Sequence, residues 1–207
     1  MSGYQDAYLA WVNSLNAGQR QQLGYLFNGG FELPLTGLGF DWQIARSDRV
    51  EIGRAPFEGD NRQALRVRFR LMRTPFEHLS QPLLLSPGTY EVVGSYRGLE
   101  LMTNEGFRWV VRCRVQDHTL LGESERIFST ETWTPFRFQI EVPDSCIHQE
   151  IRLVSAAGST AETATDGELW FDDLSLQRID GLSPQARAWI EAARWEEQGP
   201  KPGAIHR

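Results

Sequence analysis

Ala64-Leu65-Arg66-Val67-Arg68-Phe69-Arg70-Leu71-Met72 alternates along its length. Leu65, Val67, Phe69 and Leu71 fall on one side of an extended chain, and Arg66, Arg68 and Arg70 fall on the other. Successive side chains of a strand point to opposite faces, so this pattern reads as an antiparallel strand with one buried and one solvated face. The stretch 107–115 repeats the theme: Phe107, Trp109, Val111, Cys113 and Val115 oppose Arg108, Arg112 and Arg114. In 136–142, Phe136, Phe138, Ile140 and Val142 alternate with Arg137, Gln139 and Glu141. Further strands fit 41–45, 79–85, 89–97, 149–154 and 168–177. Turn signals separate them, at Gly59-Asp60-Asn61, Ser86-Pro87-Gly88, Pro143-Asp144 and Asp166-Gly167. Many short strands with turn punctuation predict an all-β fold, an antiparallel β-sandwich.

Outside this region the period changes. Tyr4, Tyr8, Trp11, Val12 and Leu15 recur at helical spacing, so 5–15 predicts a helix with an aromatic face, and 17–23 a further short turn. Near the other end, Ser183-Pro184 is a helix-start signal, and Ala186, Trp189, Ile190 and Ala193 mark an apolar face. Three segments follow: an N-terminal helical segment over 1–24, a sandwich domain over 25–180, and a C-terminal helix and tail over 181–207. The stretch 155–166 is small and polar and reads as a loop.

Composition narrows the function classes. The 207 residues carry seven Trp, eleven Phe and five Tyr, enough for a large core. The formal charge is −6, which argues against binding the nucleic-acid backbone. No stretch reaches the ~20 apolar residues of a membrane span. The opening Met1-Ser2-Gly3-Tyr4-Gln5-Asp6 has neither the basic nor the apolar region of a signal peptide. Cys113 and Cys146 are the two cysteines, and either a disulfide or two buried thiols fits them. No Gly-x-Ser-x-Gly, His-Glu-x-x-His or glycine-rich phosphate loop is present, and the histidines are scattered.

Four segments now fall in a telling order: Phe27-Asn28-Gly29-Gly30-Phe31-Glu32, then Trp42, then Ser86-Pro87-Gly88-Thr89-Tyr90, then Leu169-Trp170-Phe171-Asp172-Asp173-Leu174-Ser175-Leu176. Their order resembles the carbohydrate-binding modules of families 4 and 9, over roughly 25–178. The resemblance implies a galactose-binding-domain-like jelly roll without catalysis. It also implies a structural Ca²⁺ joining the first and last strands, with Glu32 and Asp172 or Asp173 as ligands. Asp60, in its turn, could supply a third side of that site. Alternation puts Asp172 on the face of Leu174 and Leu176, and an inward carboxylate needs a partner, so Asp172 is the preferred ligand. The helical flanks are similar to sandwich domains that follow tetratricopeptide repeats in bacterial proteins tied to envelope polysaccharide. That similarity implies an exported protein of which this chain is a fragment.

A glycan site needs exposed aromatic faces among polar side chains. Trp42, Trp109 and Trp170 fit core positions, which leaves Trp133 and Tyr96 as the candidates for stacking on sugar rings. Arg66, Arg68, Arg70, Arg112, Arg114 and Arg137 all lie on the non-core sides of strands. If those strands are neighbours in one sheet, they form a basic face suited to an acidic bacterial polysaccharide. The competing reading is a solvated face in which Glu91, Glu141 and Glu150 pair across strands. The sequence therefore predicts a non-catalytic polysaccharide-binding module. The alternative is an assembly module on the same scaffold, docking upstream repeats or another subunit through Trp11, Trp189 and Trp195.

Overall fold

The computed structural model describes residues 3–57, 62–114, 118–156 and 164–181. The predicted C-terminal helix, Asp60 and the rest of its turn, and Val115 lie outside these residues. Twelve elements run along the described chain: α1 (Gly3–Ser14), α2 (Ala17–Arg20), β1 (Gln43–Ile44), β2 (Val50–Pro56), β3 (Gln63–Met72), β4 (Leu79–Leu83), β5 (Gly88–Thr103), β6 (Phe107–Cys113), β7 (Leu120–Glu123), β8 (Thr130–Val142), β9 (Gln149–Ser155) and β10 (Thr165–Arg178). The strands form two antiparallel five-stranded sheets. The first has the order β1-β4-β9-β6-β7 and the second β2-β3-β10-β5-β8. This is a jelly-roll sandwich.

The inward faces of the two sheets meet in an aromatic core. Trp42 lies 5.7 Å from Trp109, and Trp109 lies 5.1 Å from Phe171, both edge-on. Phe69 stacks on Phe107 at 4.9 Å. Edge-on and offset contacts suit the ring quadrupole, and each such pair adds roughly 0.5–1.5 kcal/mol beyond burial. Cys113, at the end of β6, is bonded to Cys146 in the turn before β9, closing a loop with a sequence separation of 33.

The aromatic face of α1 is spent on the sandwich. Tyr4 donates a hydrogen bond to the Leu83 carbonyl (3.1 Å) and its ring lies 3.9 Å from that of His148. Tyr8 meets Phe40 edge-on, and Trp11 packs on Phe27 and Phe40. These residues sit at i, i+4 and i+7, so one helical stripe makes all three contacts. Trp11 thus packs on the sandwich and stays half-buried. A capping box of Asn16 and Gln19 starts α2.

Several sequence expectations change here. The arginines do not share one face. Arg66, Arg68 and Arg70 lie on β3 and Arg137 on the edge strand β8 of the second sheet, whereas Arg112 belongs to β6 and Arg114 follows it, in the first. The two groups stand on opposite outsides of the sandwich, because consecutive elements cross between sheets. Leu71 does not point inward: it is 64% exposed with a φ of 48°, and Met72 takes the buried place. From the pair Phe69–Gly167 to the pair Met72–Thr165, β3 takes three steps and β10 two, so an extra residue breaks the alternation. Tyr96 is half-buried. It pairs with the buried Phe171 across β5 and β10 and packs against the core. Two strands had no clear period in the sequence: β2 and the short edge strand β7.

Replacing both cysteines by alanine is expected to cost about 3–4 kcal/mol by the loop-entropy account. Urea unfolding of the double variant against the wild-type chain measures it. A loss below about 1 kcal/mol would show that the bridge adds little to the sheet packing around it.

Candidate functional site

Among the described residues, most of the predicted site residues gather at two places. The larger is the outer face of the second sheet. Across it, Arg66, Trp170 and Arg97 lie in register on β3, β10 and β5. One step along, Arg68, Glu168 and Leu99 form the next row. Trp170 is only 8% exposed although it faces outward, because other side chains cover it. Phe57 stands edge-on to it at 5.2 Å, and the Arg66 guanidinium lies 5.6 Å from its ring centre. Trp133 then meets Phe57 at 5.0 Å, and Arg97 sits over the Phe57 ring at 4.9 Å. Three aromatic rings therefore form a ridge with guanidinium groups against it, an arrangement favoured by cation–π attraction.

The position of Trp133 comes from an irregularity in β8. From the pair Thr130–Gly98 to the pair Thr134–Tyr96, β8 takes four steps and β5 two. The surplus chain carries Trp133 out to Phe57, where it is half-buried. Phe57 itself, at the end of β2, had no signal in the sequence. Its role appears only when β2 pairs with β3 and brings it over β10.

Glu168 joins this ridge to a neighbouring depression. Its carboxylate accepts hydrogen bonds from Arg66 Nε (2.9 Å) and from Trp170 Nε1 (3.0 Å). The Arg66 hydrogen bond holds the Glu168 carboxyl below the usual carboxylate range, against the effect of burial. Glu168 and Arg68 then line a depression of about 680 Å³ with Arg49, Arg70, Glu100 and Asp166. Arg68 is 3.7 Å from Glu168 with its side chain 48% exposed, while Arg70 pairs with Glu51 at 2.9 Å. Arg66 is thus committed to Glu168, and Arg68 is the more available of the two. On the other sheet, Arg114 lies 3.7 Å from Glu150, which also accepts from Arg152. Arg112 is on that same side, away from the ridge.

The second place is the junction of residues 28–33 with β10. The peptide at Gly29 lies against the closing strand: its carbonyl accepts from Leu174 N–H (3.0 Å). A Cβ at Gly29 would stand 1.8 Å from the Leu174 carbonyl oxygen, so only glycine allows this approach. From the pair Asp172–Ser95 to the pair Ser175–Val93, β10 takes three steps and β5 two, and Asp173 within this bulge has a φ of 56°. This bulge reverses the expected facing of Asp172. It sits on the side of Trp170, and Leu174 and Leu176 return to the core. Asp172 is nevertheless buried, and one of its oxygens accepts from Asp173 N–H at 2.7 Å. Burial, then the charge of Asp173, push its carboxyl up to about 7, with Glu32 adding to the rise and Arg62 opposing it.

These residues bear on calcium, which wants roughly 6–8 oxygen ligands. Of the three carboxylates that the resemblance names, Asp173 and Glu32 both act on the charge of Asp172. Several other oxygens at the junction already accept from protein donors. Arg54 Nη1 donates to the carbonyls of Phe31 (3.1 Å) and Glu32 (2.7 Å), and Gln63 N–H donates to the Glu32 carboxylate (3.3 Å). Among the described residues, no three His, Cys, Asp or Glu side chains are grouped to hold a metal.

No protein-family model matches the sequence. No curated protein matches it. Solved structures do share the fold. A carbohydrate-binding module of family 4 superposes with a TM-score of 0.54 at 16% identity, covering 74% of this chain and 99% of its own. The CBM22-1 xylan-binding domain of a Paenibacillus barcinonensis protein gives 0.52 at 14% identity, over 74% and 94% of the two chains. A putative sugar-binding protein from Bacteroides thetaiotaomicron gives 0.52 at 12% identity, over 76% and 100%. The chain therefore has the jelly-roll fold of carbohydrate-binding modules.

Two outcomes follow from this geometry. Gly29→Ala should destabilise the chain by about 2 kcal/mol or more, since the loop must leave β10, and chemical denaturation reads this directly. The lowered carboxyl of Glu168 contributes stability that is present above its unfolded pKa, near 4.3, and is lost as pH falls through the folded value. Glu168→Gln should therefore remove part of the acid-side loss of stability between neutral pH and pH ~3. An unchanged acid limb would mean that the Arg66–Glu168 pair is not formed in solution.

Proposed function

We propose that this domain is a non-catalytic carbohydrate-binding module that holds a polysaccharide across the outer face of its second sheet. The observation that carries the reading is the ridge of Trp133, Phe57 and Trp170, which continues through Glu168 into the 680 Å³ depression. Sugar rings present apolar C–H faces that stack on aromatic side chains, and carboxylate and guanidinium groups read the hydroxyls around them. Phe57 and Trp133, both half-buried, offer the stacking surface, and Trp170 braces them from beneath. The fold shared with sugar-binding neighbours supports the same reading.

The preferred glycan is acidic. Arg49, Arg68 and Arg70 line the depression, and the Arg68 guanidinium is half-exposed beside Glu168. An arginine fork there matches a uronate or sulfate group in two-point contact. The Cys113–Cys146 bridge suits an oxidising compartment, and supports placing the module in an exported protein. Among the described residues no helix is long and apolar enough to cross a membrane.

Affinity electrophoresis or calorimetry with neutral xylan and with acidic bacterial polysaccharides tests this reading. Trp133→Ala should weaken binding of any recognised glycan about tenfold, the worth of one good stack. Tyr96→Phe should leave it unchanged. Arg68→Ala should weaken acidic glycans and spare neutral ones, and binding of acidic glycans should fall with added salt. Equal binding by the wild-type chain and Trp133→Ala would remove this face from consideration.

A further inference from the structure

We infer that the chain supplies its own cation at the junction between its first loop and its last strand: Arg54 occupies the place where a divalent metal would otherwise sit, and the fold stands without calcium. The junction is built from carbonyl and carboxylate oxygens. Residues Asn28 and Phe31, with φ of 51° and 53°, turn the loop sharply. Left-handed backbone at two non-glycine positions persists only when surrounding contacts fix it. Those contacts come from five directions. Trp42 Nε1 donates to the Asn28 carbonyl (3.2 Å), and the Asn28 side chain bonds both backbone groups of Leu33. Gly29 accepts from Leu174, Gln63 donates to Glu32, and Arg54 bonds the carbonyls of Phe31 and Glu32.

Arg54 has the chemistry of a tethered cation. Its guanidinium stays charged at every working pH and carries five donors, so one side chain can hold adjacent carbonyl oxygens. It reaches them from β2, two strands away from β10, and so ties the loop to the sheet edge while Gly29 ties it to the sheet centre. A calcium ion that took the Phe31 and Glu32 carbonyls as ligands would have to displace Arg54 or stand beside a like charge.

The test is the melting temperature of the full chain in excess Ca²⁺ and in EDTA, with Arg54→Gln alongside. The wild-type chain should melt within about 1 °C in the two buffers, and calorimetric titration with Ca²⁺ should show no site binding. A calcium site filled to a hundred times its dissociation constant would instead raise the melting temperature on the order of 5–10 °C, and that result would overturn the inference. Arg54→Gln keeps a hydrogen-bond donor but removes the charge. It should melt several degrees lower in both buffers, or fail to fold. Melting at the wild-type temperature would show that Arg54 is not the tie. The wild-type comparison decides the metal question by itself if the variant does not fold.

Discussion

The last strand, β10, lies at the centre of the second sheet, between β3 and β5. Residues 165–178 must therefore enter a sheet whose other strands are all earlier in sequence. Everything else on this side of the molecule depends on that insertion. Inward, Leu169, Phe171, Leu174 and Leu176 complete the core, and Phe171 meets Trp109 of the opposite sheet. Outward, Trp170 and Glu168 form the middle of the ridge and the wall of the depression. At its far half, the Asp173 bulge turns the strand's edge toward the loop at Gly29. Non-local pairing of this kind pays loop-closure entropy before it gains contacts. The aromatic core and the disulfide offset that cost.

Irregularities in the strands place the functional groups. An ideal strand would put Trp133 in strict alternation along β8, and Asp172 inside the core. The surplus residues of β8 move Trp133 to Phe57, and the extra residue of β10 moves Asp172 to the outside. Bulges re-aim side chains without breaking the sheet, and they collect at sheet edges and binding surfaces. The extra residue of β3 at Leu71 acts alike, leaving the Arg68–Arg70 end of that strand beside the depression.

Charge on the ridge is balanced locally. Arg66 is fixed by Glu168 and Arg70 by Glu51, so the second sheet does not present a uniform basic field. The exposed Arg70–Glu51 pair adds little stability, and the part-buried Arg66–Glu168 pair adds more. Their effect is to orient: Glu168 holds Arg66 over Trp170 while accepting the indole N–H, which gives the aromatic centre a rigid polar margin.

The sequence by itself determined the fold class and most of the core. Alternation on β3, β6 and β8 marked Leu65, Val67, Phe69, Trp109, Val111, Phe138 and Ile140 as inward, and they are buried. Helical spacing marked Tyr4, Tyr8 and Trp11 as one face, and that face packs on the sandwich. These signals are local, because a side chain's facing follows from the period of its own strand or helix. Which arginines share a surface, where Trp133 points, and what covers Trp170 were decided only by tertiary structure. They depend on strand order and on single extra residues, and neither leaves a mark in composition or period. Phe57 and Arg54 show this most clearly. Nothing near either in sequence marks it out; each acquires its role from residues that the fold brings beside it, Trp133 and Trp170 for Phe57 and the 31–32 carbonyls for Arg54.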